Sequence, residues 1–180
     1  MVTAVGDPMC EPALDAIWAL LAAIPDPEIP VISIVELGIV RNVAREGHEI
    51  VVTVTPTYSG CPATEMIAAD IRRALADAGV RHCRMQTQLS PAWTTDWIAP
   101  EARARLRGYG IVPPAERTAS RLGAIAIDVT GLRKRAAPVV ACPRCGSPHT
   151  QELSRFGSTP CKAQYRCDDC REPFDYFKPH

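Results

Sequence analysis

The chain has 180 residues, and its 20 lysine and arginine side chains are balanced by 20 aspartate and glutamate side chains. A hydrophobic content of 47% is enough to form a core and excludes intrinsic disorder, while the neutral balance excludes a bulk electrostatic attraction to nucleic acid or anionic lipid. The longest uncharged apolar run, residues 16–25, is about half of a membrane-spanning length, so no membrane partner is expected. The N-terminus lacks a secretory-signal pattern, and we expect a cytoplasmic protein whose cysteines are metal ligands more often than disulfides.

Charge and cysteine are unevenly distributed along the chain. Residues 1–100 have a charge balance of −6, whereas residues 101–135 have a balance of +5. Five of the eight cysteines lie at or beyond Cys142. These shifts predict two domains, one over residues 1–137, with the basic segment as its connector, and one over residues 138–180.

Hydrophobic periodicity predicts the elements of the first domain. A helical stripe is followed by prolines, two alternating segments form a hairpin, and a second helix ends at a glycine. In chain order the predicted elements are a helix at 13–24, strands at 39–44 and 50–55, a helix at about 62–78, a strand at 80–89, a short basic helix at 101–107 and a short strand at 123–129. This order predicts an α+β fold in which helices cover one face of a small mixed sheet.

Two loops of the first domain carry polar groups that secondary structure does not require. One places Asp26 and Glu28 between prolines, and the other, residues 55–61, ends at Cys61 just before the second helix. A thiol at a helix N-terminus is expected to have a lowered pKa, because the helix dipole and the free amides favour the thiolate. The alternative is that the two carboxylates cap backbone amides and that Cys61 is a small buried residue.

The C-terminal domain contains two Cys-x-x-Cys pairs. Cys142 and Cys145 are separated by 21 residues from Cys167 and Cys170, a spacing that allows four thiolates to surround one tetrahedral ion. Because so short a segment cannot build a sufficient core, the ion would stabilise the domain directly. We predict a structural zinc ribbon, and mononuclear iron, an iron–sulfur cluster and a redox-active pair remain alternatives.

The remaining cysteines give weaker signals. Cys161 is either a small packed residue or a metal-handling thiol, and the adjacent Lys162 would lower the pKa of that thiol. Cys10 and Cys83 carry no partner pattern. The sequence shows no nucleophile–base pair and no phosphate-binding loop, so we do not expect an enzyme.

Longer motifs resemble known families. The segment from Asp26 to Val40, the Val-Thr-Val-Thr-Pro run at 52–56 and Gly-Cys-Pro at 60–62 resemble the SufT-like iron–sulfur assembly domain over about residues 10–110. The whole chain, including the tail motifs at 156–162 and 165–178, resembles the PaaD family of bacterial phenylacetate degradation. The resemblance implies an iron–sulfur assembly-like domain followed by a zinc ribbon.

The resemblance also implies site residues and a role. The acidic motif of the assembly domain corresponds to Asp26 and Glu28, its reactive cysteine corresponds to Cys61, and Cys161 lies inside the tail motif. The implied role is to help load iron or an iron–sulfur species, held transiently, into the phenylacetyl-CoA 1,2-epoxidase oxygenase or its iron–sulfur flavin reductase. A structural subunit and an electron-transfer component that uses the C-terminal cysteines remain alternatives, and a homo-oligomer stays open.

Overall fold

The computed structural model of the chain describes residues 12–58, 60–114 and 139–179. Several predictions fall outside these residues: the domain boundary at residue 137, the strand at 123–129, Cys10, and the basic connector beyond residue 114. Among the described residues, no helix has the length and apolar character that crossing a bilayer requires.

The chain forms two compact units. The first unit comprises Met1–Trp93 and Trp97–Ala102, and the second comprises Thr94–Asp96 and Arg103–His180. Each unit has its own β-sheet.

The first unit is a mixed sheet with two helices, as predicted. Its elements are α1 (Leu14–Ala22), β1 (Val40–Glu46), β2 (Glu49–Val54), α2 (Ala63–Asp77) and β3 (Cys83–Thr87). The strand order is β1-β2-β3, and the central strand β2 pairs antiparallel with β1 and parallel with β3. Helix α1 contacts β1 and α2, and α2 contacts β3. Because β2 and β3 are parallel, the chain must cross over between them, and α2 lies in that crossover.

Helix α2 presents one apolar stripe to the core. Ala63, Ile67, Ile71 and Leu75 recur every four residues and are all buried, which is the periodicity of a helix packed on one side. Met66, the residue before Ile67, is 56% exposed because it lies about 100° around the helix axis from Ile67.

The end of α2 follows the sequence prediction. Gly79 adopts a φ of +86°, and its N–H donates to the carbonyl of Ala76. A residue in this left-handed conformation terminates a helix, and glycine adopts it without steric strain. The N–H of Val80 also returns to the helix, to the carbonyl of Leu75, so β3 begins later than predicted, at Cys83.

Trp93 and Trp97 of the first unit contact the segment at residues 37–41. The indole N–H of Trp93 donates to the carbonyl of Leu37 over 3.0 Å. A Cβ at Gly38 would lie 2.7 Å from the Cβ of Trp97, and Gly38 has a φ of +77°, so only glycine fits this contact. The guanidinium of Arg41 lies 3.5 Å from the centre of the Trp97 ring system.

The second unit contains a four-stranded sheet and most of a helix that begins in the first unit. Helix α3 (Pro100–Tyr109), which corresponds to the predicted basic helix, leads into it, and the strands are β4 (Ile111–Val112), β5 (Thr150–Ser154), β6 (Lys162–Cys167) and β7 (Pro173–Phe177). The strand order is β4-β7-β6-β5, with β4 parallel to β7 and the other pairs antiparallel. The core of this sheet combines two of the ribbon cysteines with aliphatic and aromatic residues: Val140, Cys142, Ala163, Tyr165, Cys167, Phe174 and Tyr176.

Candidate metal centre and assembly-domain thiol

The four ribbon cysteines converge on one point. All four Sγ atoms lie within 4.8 Å of one another, with Cys142 and Cys170 separated by 3.7 Å and Cys145 and Cys167 by 3.5 Å. A tetrahedral zinc ion with Zn–S bonds of about 2.3 Å requires sulfurs about 3.8 Å apart. The ligands of a multinuclear iron–sulfur cluster are divided among several irons and span a larger distance. The donor set therefore fits a single tetrahedral ion.

The first cysteine pair lies in a tight turn that precedes β5. The N–H of Cys142 donates to the carbonyl of Ser147, and the N–H of Gly146 donates back to the carbonyl of Cys142. Gly146 has a φ of +76°, which lets the chain reverse directly after Cys145. The turn places both thiols of this pair on the same side of the backbone.

The second cysteine pair lies between β6 and β7. Cys167 is the last residue of β6 and is paired with Thr150 of β5, so sheet register brings the second turn next to the first. The backbone N–H of Asp168 donates to the carbonyl of His149, which joins the two turns directly. The N–H of Cys170 points at the sulfur of Cys167, 3.5 Å away.

The protonation of these thiols depends on a cation. The backbone amide of Cys170 is the largest of the effects that lower the pKa of Cys167, to about 7. At Cys170 itself the amide of Glu172 acts to lower the pKa, but desolvation and hydrogen bonds to the neighbouring thiols raise it to about 12. Four adjacent thiolates repel one another, so full deprotonation requires a bound metal ion.

Side chains next to the cysteine pairs form a link that sequence reasoning missed. The hydroxyl of Ser147 donates to the carboxylate of Asp169, and Nδ1 of His149 lies 3.3 Å from the same carboxylate. The hydrogen bond from Ser147 is the main reason why the pKa of Asp169 is lowered. In the sequence, Ser147 and His149 closely follow the first Cys-x-x-Cys pair, and Asp169 lies inside the second. This proximity is the only feature of the sequence that indicates the link. The link joins the two turns that carry the cysteine pairs.

Cys161 does not join the four-cysteine cluster. Its side chain is 3% exposed, and its sulfur lies 3.0 Å from the hydroxyl of Thr159. Lys162, which was expected to act on this thiol, places its Nζ 3.5 Å from the carboxylate of Asp175. This arrangement favours the packed-residue interpretation of Cys161.

Cys61 lies in the turn before α2, where the sequence predicts it. Its side chain is half-buried, its N–H donates to the carbonyl of Tyr58, and its carbonyl accepts from Thr64 in the first turn of the helix. Pro62 occupies the N-cap position. The hydroxyl of Thr55, upstream in the same loop, is buried without a hydrogen-bond partner among the described residues. Cys61 is therefore a half-buried thiol in a turn that backbone hydrogen bonds hold in place.

Asp26 performs the capping role that was considered as the alternative. Its carboxylate is buried, and Oδ1 accepts the N–H of Glu28 over 2.9 Å and the N–H of Ile29 over 2.8 Å. In the part of the chain that the structure describes, only the ribbon cysteines form a cluster of three or more potential ligand atoms. Asp26, Glu28 and Cys61 are therefore not assembled into a preformed site of that kind.

Comparison with known proteins assigns both segments of the chain. Residues 14–80 match the iron–sulfur cluster assembly protein family, and residues 127–178 match the PaaD zinc beta ribbon domain. An Escherichia coli protein named as a component of 1,2-phenylacetyl-CoA epoxidase is 53% identical over 167 residues, which cover 93% of each chain. The chain belongs to the PaaD family. The family resemblance and the fold class predicted from the sequence are both confirmed.

Two further relatives match about half of this PaaD family member. An Fe-S protein maturation auxiliary factor of Porphyromonas gingivalis is 33% identical over 90 residues, covering 48% of this chain and 84% of that protein. The crystal structure of a domain of unknown function from Bacillus anthracis is 30% identical, covers 51% of this chain and 89% of that domain, and has a TM-score of 0.47.

Proposed function

We propose that the protein is a non-enzymatic maturation factor for the phenylacetyl-CoA 1,2-epoxidase system of aerobic phenylacetate catabolism. It would hold iron or an iron–sulfur species through Cys61 and transfer it to the oxygenase or to its iron–sulfur flavin reductase in the cytoplasm. The observation that carries this proposal is the half-buried Cys61 in the turn before α2, inside the segment that matches the iron–sulfur assembly family. The similarity to a protein of the epoxidase system supports the choice of recipient.

A single thiol suits the transfer of a metal better than a complete ligand set does. An ion held by one protein sulfur keeps exchangeable positions, through which a recipient's ligands can replace it, whereas four cysteines retain their ion. Asp26 contributes by fixing the turn at residues 26–29, and Glu28 of that turn is the acidic residue proposed to assist Cys61. Cys161 is too buried to exchange a ligand.

The ribbon is proposed to hold structural zinc. Cys142, Cys145, Cys167 and Cys170 supply a four-sulfur donor set whose spacing fits this ion. Zinc has no redox chemistry, so its contribution would be to stabilise a unit whose own core is small.

The test compares the variants Cys61→Ser and Cys83→Ser in cells that also produce the epoxidase components. Cys83 is the matched control because it is a half-buried cysteine of the same unit on β3. The iron content of the purified oxygenase and reductase is measured, together with the absorption spectrum of the anaerobically purified protein. We expect Cys61→Ser to lower the iron content and Cys83→Ser to leave it unchanged. Full iron loading with Cys61→Ser would refute the proposal.

A second candidate function is a structural subunit of the epoxidase, which the name of the Escherichia coli relative favours. Purified epoxidase that retains the protein in stoichiometric amount through gel filtration, with normal iron loading by Cys61→Ser, would support it. A third candidate, electron transfer, rests on the ability of the four ribbon thiols to bind iron instead of zinc. Elemental analysis that finds zinc alone, without visible absorbance, would exclude electron transfer.

A further inference from the structure

The second unit contains a cavity beside the first cysteine turn. Its volume is about 450 Å³, which lies within the range typical of ligand-binding clefts. Its walls are mainly apolar and include Val112 of β4, Val139 and Val140 before the first cysteine pair, and Tyr176 of β7. Val139 is 78% exposed, so part of this apolar wall faces solvent. An apolar side chain of a partner would bury apolar surface against this wall.

One cationic side chain lines the same cavity. Arg107, in the last turn of α3, is exposed, and its guanidinium makes no hydrogen bond or ion pair with the residues that the structure describes. A guanidinium binds a carboxylate through two parallel hydrogen bonds, and arginine is among the residues that contribute most to protein interfaces. The cavity therefore complements an apolar group that has a carboxylate next to it.

We infer that this cavity, together with Arg107, is the docking site for a segment of an epoxidase component that presents an apolar side chain beside an aspartate or glutamate. The inference rests on the proposed function, since it assigns the surface by which the maturation factor engages its recipient. A protein segment is favoured over a free small molecule because Val139, one of the lining residues, is 78% exposed, so this apolar wall is open to solvent and does not enclose a ligand.

The metal site forms part of this docking surface. Cys142, Pro143 and Gly146 belong to the first cysteine turn and also line the cavity. Because the positions of these residues depend on the metal ion that the four thiols hold, docking should require an occupied ribbon. The docking site would then exist only in the metal-loaded protein.

The test measures binding of the zinc-loaded full chain to the purified oxygenase and, separately, to the purified reductase by isothermal titration calorimetry. Arg107→Gln is compared with Arg105→Gln, which alters an arginine of the same helix outside the cavity. We expect Arg107→Gln to weaken binding to one component about tenfold or more, and Arg105→Gln to weaken it less than about twofold. Equal effects of the two substitutions would show only general charge attraction and would overturn the inference.

A second pair of variants tests the apolar wall. Val139→Glu places a charge in the cavity, while Leu153→Glu changes an exposed leucine on β5, away from it. Binding should weaken with Val139→Glu alone. Unchanged affinity in Val139→Glu, or a failure of the wild-type protein to bind either component, would overturn the inference. Binding of phenylacetate that depends on Arg107, without binding of a protein component, would assign the cavity to a small molecule instead.

The proposed docking and the proposed iron transfer fail in different ways. Cys61→Ser should bind the recipient with wild-type affinity and still fail to load iron. If Arg107→Gln binds normally while Cys61→Ser lowers iron loading, the docking inference falls and the proposed function stands. Removal of the ribbon metal with a chelator should abolish binding by the wild-type protein, and persistent binding would contradict the metal dependence of the surface.

Discussion

Replacement of Asp26 by alanine separates a structural role of this carboxylate from a direct role in metal handling. In the structure Oδ1 accepts two backbone N–H groups, from Glu28 and Ile29, at 2.9 and 2.8 Å. Hydrogen bonds to a charged group contribute roughly 1.5–3 kcal/mol each, and loss of the acceptor leaves the donors unsatisfied. The N–H of Ile29 is fully buried, whereas water can partly replace the bond to Glu28. We therefore expect Asp26→Ala to lower the free energy of unfolding by about 2–4 kcal/mol.

Urea denaturation followed by tryptophan fluorescence provides the assay. All three tryptophans of the chain, Trp18, Trp93 and Trp97, belong to the first unit, so the signal reports the unfolding of that unit. Asp26→Asn keeps an acceptor oxygen without the charge and should lose roughly half as much stability as alanine does. A free energy of unfolding for Asp26→Ala within about 0.5 kcal/mol of the wild-type value, the range typical of neutral surface substitutions, would refute the structural role of this carboxylate. If Asp26→Ala had unchanged stability but no longer supported iron transfer, Asp26 would be assigned as a direct metal ligand instead.

Two further predictions concern packing and pH. Ile67→Ala should lower the free energy of unfolding by about 2–5 kcal/mol, because the Ile67 side chain is only 3% exposed. Met66 is exposed, so Met66→Ala should change the free energy of unfolding by less than about 0.5 kcal/mol. Urea denaturation measures both changes. Burial and a hydrogen bond to Glu152 raise the pKa of Tyr165 from 10.0 to about 12. The unfolded tyrosine therefore ionises first, so its stabilising contribution is complete below pH 10 and is lost as the pH rises toward 12. Thermal unfolding of the zinc-loaded protein, followed by circular dichroism, should show this loss of stability between pH 10 and 12. Tyr165→Phe should reduce the loss. An identical dependence of stability on pH in the variant would show that Tyr165 does not cause it.

The elements of the first unit were predictable where a local pattern determined them. The hairpin strands, the second helix and its glycine terminus each follow from alternation, helical spacing or the conformational freedom of Gly79. Apolar character alone does not identify the buried face of this helix, because Met66 and Ile67 are adjacent in the sequence and only Ile67 is buried. Strand β4 has only two residues and is defined by its pairing with β7, so no local pattern could indicate it.

Parts of the candidate site were likewise predictable from local sequence patterns, whereas other parts depend on the fold. The spacing of the ribbon cysteines predicts their cluster because each pair forms its own turn. The hydrogen bond between Ser147 and Asp169 depends on how β5 and β6 bring the two turns together, which sequence separation does not reveal. The sequence also left two roles open for Asp26, and the choice depends on burial and on two backbone amides that only the fold brings to its carboxylate.

The crossover between β2 and β3 has a consequence for the order of events during translation. Cys61 lies in this connection, and the parallel pairing of the two strands closes only after the ribosome has released β3, which is later in the chain than the thiol itself. Until then the turn that bears Cys61 is anchored at one end by the hairpin of β1 and β2 and is free at the other. A nascent chain therefore exposes the thiol of Cys61 before the paired strands can hold it in its folded geometry.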